Sequence, residues 1–169
     1  MGLPNKLKNF ATFIDGVSYV GETDEVSLPK LSRKMEKFRA GGMSGEVEMD
    51  FGMEAMEMEI KAAGWLKDTL KTWGSGRHDA VLVRWAGACQ TDDSEAVDAV
   101  EVVVRGRFKE FDPGKAKGGD KTEHGLKLAV SYYKLTINAD VLLEIDVVNM
   151  IEFVHGVDRL QEVRAALGI

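Results

Sequence analysis

Cysteine is nearly absent. Cys89 stands alone, so no disulfide can staple the fold and a reducing compartment suits the chain. Histidine is scarce as well: His78, His124 and His155 lie at no spacing such as H-x-x-x-H, so neither a metal nor a cofactor is expected. No apolar run approaches the roughly 18 residues of a membrane-spanning helix, and insertion of the free subunit into a membrane is not expected. The opening Met1-Gly2-Leu3-Pro4-Asn5-Lys6 lacks both a signal-peptide apolar region and the Ser/Thr of a myristoylation signal, which predicts a soluble product made in the cytosol. An excess of positive charge is missing too. Lys and Arg total 22 against 28 Asp and Glu, a formal net charge of -6, which excludes a protein that grips nucleic-acid phosphates over a broad surface. What is present suits a folded chain: 44% hydrophobic and 30% charged residues exclude extensive disorder, and 169 residues fit a single domain, 1–169.

The dominant pattern is alternation of period two, the mark of half-buried strands. From Glu46 to Phe51 the odd positions Val47, Met49 and Phe51 are apolar and the even ones acidic. After Gly52 and Ala55 the phase flips, with Met56, Met58, Ile60 and Ala62 now apolar, so a bend or bulge is expected between two strands. Other strands are predicted over Asn9 to Ile14 and Val17 to Val20, joined by Asp15-Gly16, then Ser27 to Phe38, Ala80 to Cys89, Val97 to Phe108, Gly125 to Asn138 and Leu142 to Val148. Helix is sparse. One short helix is expected near Trp65, with Leu66, Leu70 and Trp73 on one face and Gly74 as its stop. Another is expected at the C-terminus, capped by Asp158, carrying Leu160, Val163 and Leu167, and ended by Gly168. Neither is long enough to stand alone, so both should pack on the sheet.

Candidate chemistry is thin. Gly41-Gly42-Met43-Ser44-Gly45 is followed by a strand pattern rather than the helix a phosphate cradle requires, and reads as a hairpin tip. His78 and Asp79 are adjacent, without a Ser or Cys nucleophile placed beside them by any motif, and read as a surface turn. The carboxylates of Glu46 to Glu59 lie at spacings a glycoside hydrolase could use, but such a row is usually the wet face of an amphipathic strand. Met49, Met53, Met56 and Met58 suit adaptable core filling. Charge comes in blocks. Lys30, Arg33, Lys34, Lys37 and Arg39, opposed only by Glu36, lead through the glycine loop into the acidic stretch. This is either a hairpin of oppositely charged strands or a projecting arm that finds a charged patch on another copy.

Several collinear segments resemble the major tail tube protein of contractile-tailed bacteriophages and the related tube protein of contractile bacteriocins. They are Leu3 to Phe10, Leu28 to Lys34 running into Gly41–Gly45, Val100 to Glu110, Tyr132 to Ile137, and Glu144 to Glu152 continuing to Gly156–Leu160. The resemblance implies a mainly β subunit, a β-barrel or sandwich with one or two short helices. Six copies would form a ring whose inner sheets join in a continuous β-barrel, and rings would stack into a hollow tube. It also implies a structural protein rather than an enzyme, in the virion tail after assembly in the host cytoplasm. The implied partners are other copies of the chain, the tail sheath protein, the tape-measure protein inside the tube, and baseplate and tail-terminator proteins. DNA would pass down the lumen without specific binding. A type VI-like secretion tube, a small-ligand-binding β-barrel and a hydrolase are the other readings.

Within the implied tube, the segment 30–45 is expected to be a ring-stacking arm, carrying Lys30, Arg33, Lys34, Lys37, Arg39, Gly41, Gly42 and Gly45. It should be mobile in the free subunit and ordered where rings meet. Glu48, Glu57, Glu59 and Glu101 are expected to face the lumen, with Val47, Met49, Met58 and Ile60 on the opposite, packed side of their strands.

Overall fold

The computed structural model describes residues 2–169. Its strands are β1 (Lys6–Ile14), β2 (Val17–Ser18), β3 (Thr23–Ser27), β4 (Arg33–Phe38), β5 (Val47–Met53) and β6 (Met56–Ala62). A one-turn helix α1 (Lys67–Leu70) precedes β7 (Val81–Gln90), β8 (Val97–Asp112), β9 (His124–Ile137), β10 (Asp140–Asp146), β11 (Ile151–Val154) and β12 (Val157–Asp158), and α2 (Gln161–Leu167) ends the chain. The protein is therefore mainly β with two short helices. Asp15 and Gly16 turn β1 into β2 with φ of 49° and 82°, the left-handed pair of a tight hairpin. Leu28 to Ser32, expected to be strand, instead breaks β3 from β4, with Pro29 removing a ladder donor.

Ten strands form one antiparallel sheet in the order β12-β11-β10-β9-β8-β7-β1-β2. β9 is its spine. One edge pairs with β8 along the strand, while the other takes β6 against Met56–Ala62 and β10 against Asp140–Asp146, end to end. β3 then adds to β6. Within one chain the sheet stays open: β1 meets β2 only at Phe13 and Ile14, and the two-residue β12 closes the other flank.

The core lies on one face of this sheet. Met58, Ile60, Val81, Val83, Val104 and Leu128 are fully shielded there. Two bulges keep that face apolar along the longest strands. At Ser131 the β8–β9 register passes from Arg105↔Tyr132 to Gly106↔Val130, so the core parity moves from even (Leu126, Leu128, Val130) to odd (Tyr133). At Lys109 a second step turns Phe111 inward, where it stacks on the buried ring of His124 at 5.8 Å. Gly106 sits beside the first bulge because a Cβ there would lie 2.2 Å from the Ala129 carbonyl oxygen.

The expected phase flip between Phe51 and Met56 is present, with a different consequence from the one anticipated. Met58 and Ile60 enter the core, but Val47 and Met49 do not: they are 48% and 45% exposed on a separate two-stranded ribbon, β4–β5. Helix α2 also departs from expectation, since none of its residues is buried and Val163 and Leu167 face solvent. Its C-terminus follows the sequence, Gly168 ending the helix at φ 73°, but Asp158 does not cap it: its Oδ1 accepts the Leu160 N–H at 3.1 Å, and Leu160 stands at the N-cap with no side-chain bond to the first turn.

Face assignment can be tested on the free chain. Met58→Ala should destabilise it by about 2 to 5 kcal/mol in denaturant unfolding, the range for a cavity in a packed core. Met49→Ala should change stability by less than about 0.5 kcal/mol, as exposed substitutions do. Equal losses would place the ribbon against the core.

Candidate assembly surfaces

The ribbon β4–β5 is the first surface. Its register pairs Phe38 with Val47, Glu36 with Met49, Lys37 with Glu48 and Met35 with Asp50. Directly opposed residues share a face, so Phe38, Glu36, Val47, Met49 and Phe51 lie together on one, mostly apolar side, and Lys37, Glu48, Met35 and Asp50 on the other. The apolar side is wet: Phe38 is 50% and Phe51 57% exposed. Four large apolar side chains are thus left uncovered on the ribbon within one chain.

The ribbon is fixed at its base and turned at its tip. Arg33 bonds Asp50 across the ribbon through Nε and donates from Nη1 to Glu152 Oε1 of β11 at 2.6 Å. The Glu54 N–H reaches Ser32 O at 2.8 Å. The Gly52 N–H, and then Arg33, hold the Asp50 carboxyl below the usual carboxylate range. At the tip, the Met43 N–H meets Ala40 O at 3.2 Å, and Gly42 takes φ 89°. Of the residues assigned to a stacking arm, Arg33, Lys34 and Lys37 stand in β4, Arg39, Gly41, Gly42 and Gly45 form the turn, and Lys30 lies before the strand. The range 30–45 thus takes in β4 and the turn and stops before β5. That strand's exposed apolar side chains were assigned to a buried face because alternation distinguishes two faces without saying which is covered.

The solvent-facing side of the large sheet is the second surface. Glu57, Glu59 and Glu101 all lie on it, whereas Glu48 belongs to the ribbon. Their rows interleave both signs. Glu57 pairs with Lys109, Glu101 accepts from Arg84 at 2.6 Å, and the row Glu59–Lys127–Glu110 closes on a Lys127–Glu110 contact of 3.2 Å. Lysine neighbours, Lys109 first, hold the Glu57 carboxyl below its ordinary range. The face is charge-balanced rather than acidic. On β9 and β10 the Tyr132 hydroxyl donates to Glu144 at 2.7 Å, and burial followed by that bond pushes the phenol well above its usual range.

The histidines are not grouped. His124 is buried between Trp65, 4.4 Å away ring to ring, and Phe111. His155 is exposed on the β11–β12 turn, 3.8 Å from Asp140. His78 Nδ1 lies 2.9 Å from Ser131 Oγ, a proximity the sequence did not reveal because it joins the β7 approach to the β9 bulge. Asp79, the carboxylate that would orient such a histidine, is engaged by Arg77 at 3.1 and 3.2 Å. The pair thus ties a turn to a strand. Among the described residues, no three His, Cys, Asp or Glu side chains gather where they could hold a metal ion.

Comparison with known proteins matches residues 4–168 to the family model described as phage tail tube protein FII. The tail tube protein of Escherichia phage P2 is 42% identical over 172 residues, covering all of both chains. The major tail tube protein of Serratia phage KSP20 is 36% identical over 153 residues, covering 89% of this chain and 88% of that one. Among solved structures, a sheath/tube terminator of the extracellular contractile injection system PVC superposes with a TM-score of 0.61 at 10% identity, over 79% of this chain and 96% of that one. That last likeness is one of fold.

Arg33→Ala should loosen the ribbon alone: amide exchange in β4 and β5 should quicken while β7–β9 keep their rates. Because Asp50 titrates below its unfolded value of about 3.9, its contribution is present above that pH and is lost as pH falls through the lower folded value. An NMR titration of the Asp50 side-chain carboxyl should therefore show its resonance moving chiefly below about pH 3.9. In Arg33→Ala the movement should begin at higher pH, with the Gly52 contact retaining part of the depression. Unchanged titration would show that Arg33 does not hold the ribbon.

Proposed function

Since the chain belongs to the phage tail tube protein family, we propose that it is the repeating subunit of the inner tube of a contractile phage tail, six copies to a ring and rings stacked end to end. The observation that carries this reading is the full-length identity to a tail tube protein, 42% over both chains. Physical features support it. A sheet with a free β1 edge on one flank and a two-residue strand on the other is left with unpaired ladder groups that neighbours in a ring would satisfy. The ribbon reaches between rings, with Lys34, Lys37, Arg39 and the turn glycines at its working end. The role is structural, in keeping with relatives named as tube proteins.

In this reading the sheath protein surrounds the tube, the tape-measure protein occupies it during assembly, and baseplate and terminator proteins cap its ends. Subunits assemble in the host cytoplasm, and the finished tube resides in the virion tail. DNA passes down the lumen without specific binding. The charged face of the sheet lines that lumen, presenting Glu57, Glu59 and Glu101. Duplex DNA carries one negative charge per about 1.7 Å, so a wall with unopposed cations would hold it. Here glutamates engage Lys109, Arg84 and Lys127, while Arg105 and Arg107, exposed on the same face of β8, take no part in these pairs, so the wall is one of mixed charge rather than a continuous cationic track for phosphates.

Purified chain should form rings or hollow tubes in negative-stain images, and Glu57→Lys with Glu59→Lys should assemble equally well, because the wet face carries little packing energy. Reversing those two charges leaves Lys61, Lys109 and Lys127 in a basic strip, and phage carrying the substitutions should deliver their genomes at least tenfold less efficiently, the effect of roughly 1.4 kcal/mol of added retention. Failed assembly would assign these residues to an interface. Normal delivery would remove them from the lumen wall or make its charge immaterial.

A further inference from the structure

The ribbon β4–β5 is rooted on the body of the subunit at its base and free beyond it. Leu31, just before β4, and Met53, which ends β5, pack against the core. Between that root and the body lies a cleft of about 160 Å³, lined among others by Arg33, Met53, Ile145, Ile151 and Leu160, so the apolar contact there is not close-packed. Hydrophobic contact is also non-directional, and by itself leaves the ribbon room to tilt. Direction comes from one side chain. Among the described residues, the one side-chain hydrogen bond from β4–β5 to the rest of the chain runs from Arg33 Nη1 to Glu152 Oε1 at 2.6 Å, while Nε of the same guanidinium holds Asp50 inside the ribbon. Both ends of this link are stiff. The guanidinium is planar, so its two bonds keep a set angle to each other. Glu152 stands in a paired strand opposite Ile145, its carbonyl accepts the Arg159 N–H at 2.8 Å, and its side chain is 16% exposed.

We propose that Arg33 and Glu152 are a positioning pair: their contact sets the direction in which the ribbon leaves the subunit, and so whether the ribbon meets the next copy. This rests on the tube-subunit reading, in which the ribbon reaches between rings, and adds the residues that aim it. A lever makes the effect large. β4 runs six residues from Arg33 to Phe38, about 20 Å at about 3.4 Å per residue, so a tilt of about 15° at the base carries the far end through about 5 Å, a full strand spacing. The same pair adds little to the stability of the chain, because the Arg33 side chain is 38% exposed. Its loss therefore separates aim from folding. The Arg33–Asp50 bond has another effect, since both partners belong to the ribbon and move with it.

The test removes the body's half of the contact and reads angle and assembly separately. Glu152→Ala leaves the Arg33–Asp50 bond in place, and Glu152→Gln keeps a neutral acceptor where the carboxylate stood. Spin labels on Ser44→Cys at the ribbon tip and Glu162→Cys on α2, in a Cys89→Ser chain, report the ribbon angle in dispersed subunits by double electron–electron resonance. The distance distribution should be narrow in the otherwise wild-type chain, broad with Glu152→Ala, and close to wild type with Glu152→Gln. Unlabelled Glu152→Ala chain should unfold near the wild-type temperature but need about tenfold more protein to form tubes in negative-stain images, the effect of roughly 1.4 kcal/mol of lost docking free energy. Should Glu152→Ala fail to fold, Arg33→Lys takes its place with the same expectation, since one ammonium cannot hold two carboxylates in a fixed fork. A distribution that stays narrow, or one that broadens while tubes form as in wild type, would overturn the aiming role and leave the tube reading intact. Wild-type chain that never associates would overturn the tube reading, and the pair's part in assembly with it.

Discussion

A strand has two faces and can give only one of them to a core, so every change of parity along this chain decides which side chains meet water. The chain changes parity at Glu54–Ala55, at Lys109 and at Ser131. The two bulges serve the core, since without them Phe111 and Tyr133 would point outward while Glu110 and Tyr132 took their places. The break after Met53 does the reverse. It ends one apolar set, Val47, Met49 and Phe51, on a ribbon that the rest of the chain does not cover, and begins another, Met58 and Ile60, at the centre of the packed layer. A chain built this way packs one apolar set and leaves the other uncovered.

The same economy governs the charges. Net negative charge over the whole chain coexists with a sheet face on which acids and bases alternate row by row, Glu57 with Lys109, Glu101 with Arg84, Glu110 with Lys127. Exposed pairs of this kind add little stability. Their larger effect is on the charge the face presents: Lys109, Arg84 and Lys127 each have a carboxylate at hand. The basic and acidic edges of the ribbon follow a different plan, with like charges kept on one strand, which suits orientation of a contact more than neutrality of a wall.

Much of the fold was legible in the residues. Alternation located the body of nearly every long strand, Asp15-Gly16 announced a turn whose two positive φ angles require it, and Gly168 marked the end of α2 by its left-handed conformation. The short strands β11 and β12 escaped because four and two residues are too few to show a period. The Trp65, Phe111 and His124 cluster escaped because its members come from distant segments. Of the proposed lumen residues, Glu57, Glu59 and Glu101 do share a face, since their strands are registered in one sheet, whereas Glu48 lies beyond the parity break and belongs to the ribbon. The cations beside those glutamates were not foreseen, because cross-strand register joins Lys109 to Glu57 and Lys127 to Glu59 from segments far apart in the chain.

The central claim is that the exposed face of β5 exists to be covered by another copy. Hydrogen–deuterium exchange on free subunit and on assembled tube measures it most directly. Amides of Val47 to Met53 should exchange readily in the subunit and become strongly protected in the tube, with the β6–β9 core protected equally in both. Ribbon amides that exchange at the same rate in the tube as in the free subunit would contradict the account.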